Sequence, residues 1–141
     1  MDIWFNLARI LVSFVAIATV IGGAVADLGF AANMHMSNPH WPPHAKFHNG
    51  QTIWLGVFLG LLALWLLWFP GGNRLLQFHL GVVIASLYWF SMLGANLLPG
   101  TRWIDPEFEK AEATTSTLAP QQRLMFVLLA LLLVSELLQR L

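Results

Sequence analysis

The sequence contains no cysteine, so disulfides, thiolate metal centres and cysteine nucleophiles are excluded, and a metal or haem would have to be held by histidine, carboxylate or methionine. Charge is scarce as well: 10% of the 141 residues are Asp, Glu, Lys or Arg, against roughly a quarter in soluble domains. The seven basic and seven acidic residues cancel, which removes the basic field that nucleic-acid binding needs, and no nucleic-acid partner is expected. Tyrosine occurs once, at position 88. Internal repeats and low-complexity tracts are missing too.

What remains is apolar. Hydrophobic residues make up 57% of the chain, more than a soluble protein of this size can hide, so the lipid bilayer is the expected partner of most of its surface. Four stretches are long enough to cross a hydrocarbon core of ~30 Å at ~1.5 Å per helical residue. The reading is an all-α integral membrane four-helix bundle, one domain over residues 1–141, with spans at about 5–29, 52–69, 75–98 and 123–141 and polar loops at 31–51 and 99–122. Ala24-Val25-Ala26 also has the small-residue form of a signal-peptide cleavage site, the rival reading of the first span. Ala16, Ala18, Gly22 and Gly23 in span one, and Gly56 and Gly60 in span two, suit close helix contact. Trp65 and Trp68 fit an interfacial belt, and Pro70-Gly71-Gly72-Asn73-Arg74 is a tight turn that makes spans two and three antiparallel neighbours. In the second loop, Thr114 to Thr117 and Pro120 suit a linker with a cap before the last helix.

Four spans put both termini on one side. Arg9, Arg74 and Arg140 mark that side, while Lys46, Arg102, Lys110 and Arg123 mark the other. The short Arg74 turn inclines the orientation toward cytoplasmic termini, in a bacterial inner membrane.

Residues 38 to 51, Asn-Pro-His-Trp-Pro-Pro-His-Ala-Lys-Phe-His-Asn-Gly-Gln, hold three of the five histidines. Pro42 and Pro43 lack backbone donors and suit the start of a helix, with Pro43 at its first position. A helix running on from there sets His44 and His48 one turn apart on one face, a spacing that metal ligands use. His40 precedes the prolines, and His35 and Met36 join only if the loop folds over. The candidate metal ligands are therefore His40, His44, His48 and Asp27, where Asp27 either orients a ligand histidine or is simply an interfacial carboxylate.

Antiparallel helices place residues of roughly constant summed number at one depth. With the turn near residue 72, Gly56 lies level with Tyr88 and His48 with Asn96, and Asp27 ends span one on the same side. One membrane face thus collects nearly all the candidate chemistry. Tyr88, buried by position, needs a partner or a task for its hydroxyl. His79 falls on the other side and reads as a packed histidine bonded to a neighbouring helix. Arg102, Asp105, Glu107 and Glu109 read as solvated loop charges or as a lid.

The run from His40 to His48, His-Trp-Pro-Pro-His-Ala-Lys-Phe-His, resembles the signature of a family of small four-span membrane proteins with no established activity. The layout of spans, His44-Ala45 shortly before Asn49-Gly50, Arg74-Leu75-Leu76 after the turn and Tyr88 in span three are also similar to the styrene oxide isomerase family. That second resemblance implies a trimer with haem b at subunit interfaces, an axial histidine at His44, and Asn49 and Tyr88 addressing an epoxide oxygen while ferric iron acts as a Lewis acid. The His-to-Asn interval is one residue shorter here, about 100° of helix, and leaves His48 an equal candidate for the ligand.

The expectation is a membrane-embedded, homo-oligomeric enzyme acting on a small hydrophobic molecule through haem b or another metal on His44 or His48, with Tyr88 and Asn49 as catalytic residues and isomerisation of an epoxide as the concrete version. The rival is a non-catalytic accessory or assembly subunit that docks through its histidine segment. A transporter is disfavoured because Asp27 and Glu136 are the only acidic residues in the spans.

Overall fold

The computed structural model describes residues 3–69, 71–109 and 118–141; Lys110 and the Thr114 to Thr117 linker lie outside them. Its elements are α1 (Ile3–Val25), a π-helical turn (Ala26–Phe30), a 3₁₀ turn (Ala32–Met34), α2 (Pro43–Trp68), α3 (Arg74–Ala95) and α4 (Pro120–Leu138). The stretch Ile3–Phe30 and each of α2, α3 and α4 is long and apolar enough to cross a membrane. The protein is an all-α membrane four-helix bundle.

The chain runs up, down, up and down. Among the described residues α1 and α3 each pack against α2 and α4 and also touch one another, whereas α2 and α4 do not meet. The core is correspondingly narrow: Val12, Val15 and Ala16 of α1, Ala63 and Leu67 of α2, Phe78 and Trp89 of α3, and Met125 and Leu128 of α4 are buried. Large apolar side chains on the outer faces, such as Phe14, Phe58, Val83 and Leu133, are exposed. Lipid tails solvate these as well as a core would, so helix contact rests on close fit rather than on burying apolar area.

Glycine supplies that fit between α1 and α2. A Cβ on Gly60 would lie 2.5 Å from the Ala16 carbonyl oxygen, and one on Gly56 would lie 3.0 Å from the Thr19 carbonyl and 3.2 Å from the Tyr88 ring. The small pair expected to mediate helix contact does so, and Gly56 and Tyr88 are level as the antiparallel register requires. Two indole relays tie α3 and α2 to α1. Trp89 Nε1 donates to Thr19 Oγ1 at 2.9 Å, and Thr19 donates onward to the Val15 carbonyl. Trp68 Nε1 donates to Ser13 Oγ at 2.8 Å, and Ser13 donates to the Arg9 carbonyl. Such bonds contribute about 0.6 kcal/mol on average inside membranes, up to about 1.7.

The ends follow local rules. Pro42 is the N-cap of α2 and Pro43 its first residue. This helix starts well before the apolar part of its span and carries the histidines with it. Asn73 caps α3, its Oδ1 accepting from Leu75 N at 3.0 Å and Leu76 N at 3.1 Å. Ala119 rather than a threonine caps α4, and Gln122 Oε1 accepts from its N–H at 2.8 Å. α1 ends in the π turn, broken at Gly29, whose φ of −108° and ψ of −114° are not helical.

Candidate functional site

The π turn decides where Asp27 points. Wider than an α turn, such a turn interrupts the ladder and recurs at functional positions. Here it holds the Asp27 carboxylate, largely shielded, at the loop end of the bundle. His35 folds back from the loop to place Nε2 3.6 Å from Asp27 Oδ1, steadied by an edge contact of its ring on Trp41 at 5.5 Å. Asn49, from the first part of α2, brings its side chain within hydrogen-bonding reach of the same carboxylate. Tyr88 enters from α3, within electrostatic reach of Asp27. Its ring occupies the slot that Gly56 leaves open, and its hydroxyl oxygen is 3.4 Å from where a Cβ on Gly23 would be. No hydrogen bond joins that hydroxyl to another described residue. Asp27, His35, Asn49 and Tyr88 therefore form one polar cluster between α1, α2 and α3, containing both expected catalytic residues.

The other expected ligands are placed elsewhere. On an α-helix His48 stands about 100° and His44 about 140° around the axis from Asn49, so they occupy the outer face of α2, where both are exposed. Their Nε2 atoms are 3.0 Å apart and His48 Nδ1 is 3.3 Å from Gln51 Oε1. With the amide oxygen accepting, His48 carries its proton on Nδ1 and its Nε2 accepts from His44 Nε2–H. His40 goes a third way. Its Nδ1 lies 3.1 Å from Glu107 Oε2, and its backbone N–H donates to Asn38 Oδ1 at 2.8 Å. The buried Asn38 donates through Nδ2 to Glu107 Oε1 at 2.9 Å. This clasp ties the first loop to the second, and its hydrogen bonds, Asn38 first and His40 next, hold the Glu107 carboxyl below the ordinary value of 4.5. Arg102 pairs with Glu109, at 3.5 Å.

The four expected metal ligands are thus divided among three clusters, and no group of three or more His, Asp or Glu side chains converges among the described residues. The fit of an ion or haem reduces to the His44–His48 pair. Zinc–nitrogen bonds of about 2.0–2.1 Å at tetrahedral angles separate two ligand nitrogens by about 3.3 Å. The observed 3.0 Å suits two ligands of one ion, with Gln51 orienting one of them. Haem fits less well: two imidazoles one turn apart cannot take opposite axial positions, so the pair would have to open and release one ring to the iron.

His79, on the opposite side of the membrane, is bonded to a neighbouring helix: its Nδ1 lies 2.9 Å from Glu136 Oε1 of α4. His35, expected to join only if the loop folds over, does so, and its partner is Asp27 rather than the other histidines.

No curated protein and no solved structure matches the chain. A family model does match over residues 11–140, and the chain belongs to that family, DUF6640, a family of unknown function.

Proposed function

We propose that this protein is a membrane-embedded enzyme acting on a small hydrophobic molecule with a reactive oxygen, which reaches the Tyr88 hydroxyl from the bilayer. One observation carries this reading: a tyrosine hydroxyl without a hydrogen-bond partner among the described residues stands in an apolar bundle within electrostatic reach of Asp27, the carboxylate that Asn49 also reaches. Tyr88 is partly buried, and a shielded tyrosine hydroxyl that serves only packing normally finds a partner.

Isomerisation of an epoxide is the concrete form. The Tyr88 O–H and one Asn49 N–H donate to the epoxide oxygen while one C–O bond breaks, and the other Asn49 N–H remains on Asp27. A hydrogen with its electron pair then migrates to the electron-poor carbon, the oxygen forms a carbonyl, and Tyr88 keeps its proton. No electron enters or leaves the substrate, and the hydrogen-bond donors stabilise charge that exists only as the bond breaks. His44 and His48 would hold a metal ion, or one of them haem b, which supplies Lewis acidity when bound. Because that pair faces away from Asn49, a site using both belongs between copies of the chain, which supports a homo-oligomer. We place the termini in the cytoplasm of a bacterial inner membrane, on the strength of the Arg74 turn.

The exposure of His40, His44 and His48 favours a second reading, an accessory subunit docking through this segment. Purified protein separates the two. The enzyme reading expects either a bound metal lost in both His44→Ala and His48→Ala or a Soret band lost in one of them, together with conversion of a small aryl epoxide to its carbonyl isomer. Colourless, metal-free protein that leaves the epoxide unchanged contradicts it and favours the docking subunit.

A further inference from the structure

At the other membrane face, the start of α1, the end of α2 and the start of α3 enclose a hollow of about 460 Å³, lined among others by Phe5, Arg9, Trp68, Phe69, Arg74 and Gln77. We propose that it binds a phosphate-bearing anion between Arg9 and Arg74, and that the occupant is the headgroup of an anionic phospholipid. This inference is independent of the Tyr88 site.

Both guanidinium groups lie over one ring: Cζ of Arg9 is 5.9 Å and Cζ of Arg74 5.2 Å from the Phe5 centroid. Arg9 is also stacked on Trp68 at 4.1 Å and donates one N–H to the Leu67 carbonyl at 2.5 Å. Two like charges therefore border one aromatic ring and line one hollow. Among the described residues neither pairs with a carboxylate, and Glu136 of α4, at this same end, is taken by His79. Arginine has five N–H donors in a planar fork that matches phosphate oxygens. Arg9 keeps most of its donors after the Leu67 bond, and Arg74 is exposed. An anion between them relieves their repulsion and satisfies those donors with short charge-assisted bonds.

Two simpler roles account for less. A topology signal needs only an exposed cation in a loop, yet Arg9 lies within α1, stacked and bonded. Capping of the α2 C-terminus explains the Arg9 bond to Leu67 but not the approach of Arg74. The first N–H groups of α3 are already used by Asn73, so the arginines, not the helix end, make the site.

The setting favours a lipid over a soluble anion. Trp65, Trp68 and Phe69 beside the hollow are 52%, 50% and 61% exposed, an aromatic belt at headgroup depth. Leu75 and Leu76, outward-facing below Arg74, continue the apolar surface along which acyl chains would lie.

The test uses the full chain in nanodiscs of phosphatidylcholine, with phosphatidylglycerol titrated in and thermal unfolding as readout. The proposal expects phosphatidylglycerol to raise the unfolding temperature. Arg74→Gln, at an exposed position that the fold tolerates, should raise the half-saturating fraction of phosphatidylglycerol about tenfold, as should Arg9→Lys, which keeps the charge but loses the fork. Arg140→Gln, an exposed cation on the same side outside the hollow, should leave it unchanged. The same stabilisation from millimolar inorganic phosphate in phosphatidylcholine discs supports the anion site and overturns the lipid as its occupant. No stabilisation by either, or equal loss in Arg140→Gln, overturns the site.

Discussion

The two ends of the bundle treat polar groups in opposite ways. At the loop end, polar groups are brought together: Asp27 with His35 and Asn49, His40 and Asn38 with Glu107, His44 with His48. Among the described residues the Tyr88 hydroxyl, partly buried between the helices, has no hydrogen bond. At the terminal end, His79 and Glu136 pair off, and two cations remain beside one ring without a counter-charge among the described residues. A polar group held in place without a partner is a site where something from outside the chain would fit. On the two proposals above, the loop end would take a neutral, oxygen-bearing molecule and the terminal end an anion.

Variants can break or sharpen this contrast. The largest effect expected outside Tyr88 itself is on metal binding at the loop end. His48→Ala should weaken zinc binding by at least about 100-fold, and Gln51→Ala, which acts only through His48, by about tenfold. Titration of zinc into purified protein measures both, and equal affinity in His48→Ala removes the pair as a metal site. Packing between the ends comes next. Gly60→Ala forces a Cβ to 2.5 Å from a carbonyl oxygen and should destabilise by about 1–3 kcal/mol. Gly22→Ala, with nothing within 4 Å of its Cβ, should be neutral or stabilise by up to about 1 kcal/mol. Unfolding in detergent should show the opposite signs. Trp89→Phe removes the bond to Thr19 and should cost about 0.6–1.7 kcal/mol by the same assay.

The smallest effect is the pH response of the loop clasp. Glu107 has a lowered value in the folded protein, so its contribution is present above the ordinary value of 4.5 and is lost as pH falls through the lowered one. Hydrogen exchange or proteolysis of residues 31–42 should therefore accelerate at strongly acidic pH and be unchanged between pH 6 and 8. Glu107→Gln should show the accelerated rate throughout. A clasp that loosens between pH 6 and 8 instead would contradict control by Glu107.

Which of these features were legible in the sequence follows from what each depends on. Span number, the start of α2 at Pro43, the tight contact at Gly56 and Gly60, and the shared depth of Gly56 and Tyr88 all come from length, backbone chemistry and antiparallel register, which need no knowledge of rotation. Rotation about the helix axis was not legible. In a soluble helix the apolar stripe marks the inner face, but α2 carries Phe58, Leu61 and Trp65 outward to lipid as readily as Ala63 and Leu67 inward. Nothing in the composition therefore showed that Asn49 faces the bundle while His44 and His48 face away. The partners of His40 and Asp27 were hidden for a different reason: Glu107 lies 67 residues from His40, and the position of Asp27 depends on a π turn that no residue pattern announces.

The most direct test is the rate of epoxide isomerisation by Tyr88→Phe, measured at matched folded protein and, where a metal or haem is bound, matched occupancy. The single oxygen removed is the group left over at the loop end, so the account predicts a fall in kcat of about 10²-fold or more with little change in unfolding temperature. A rate equal to that of the wild-type protein would contradict it.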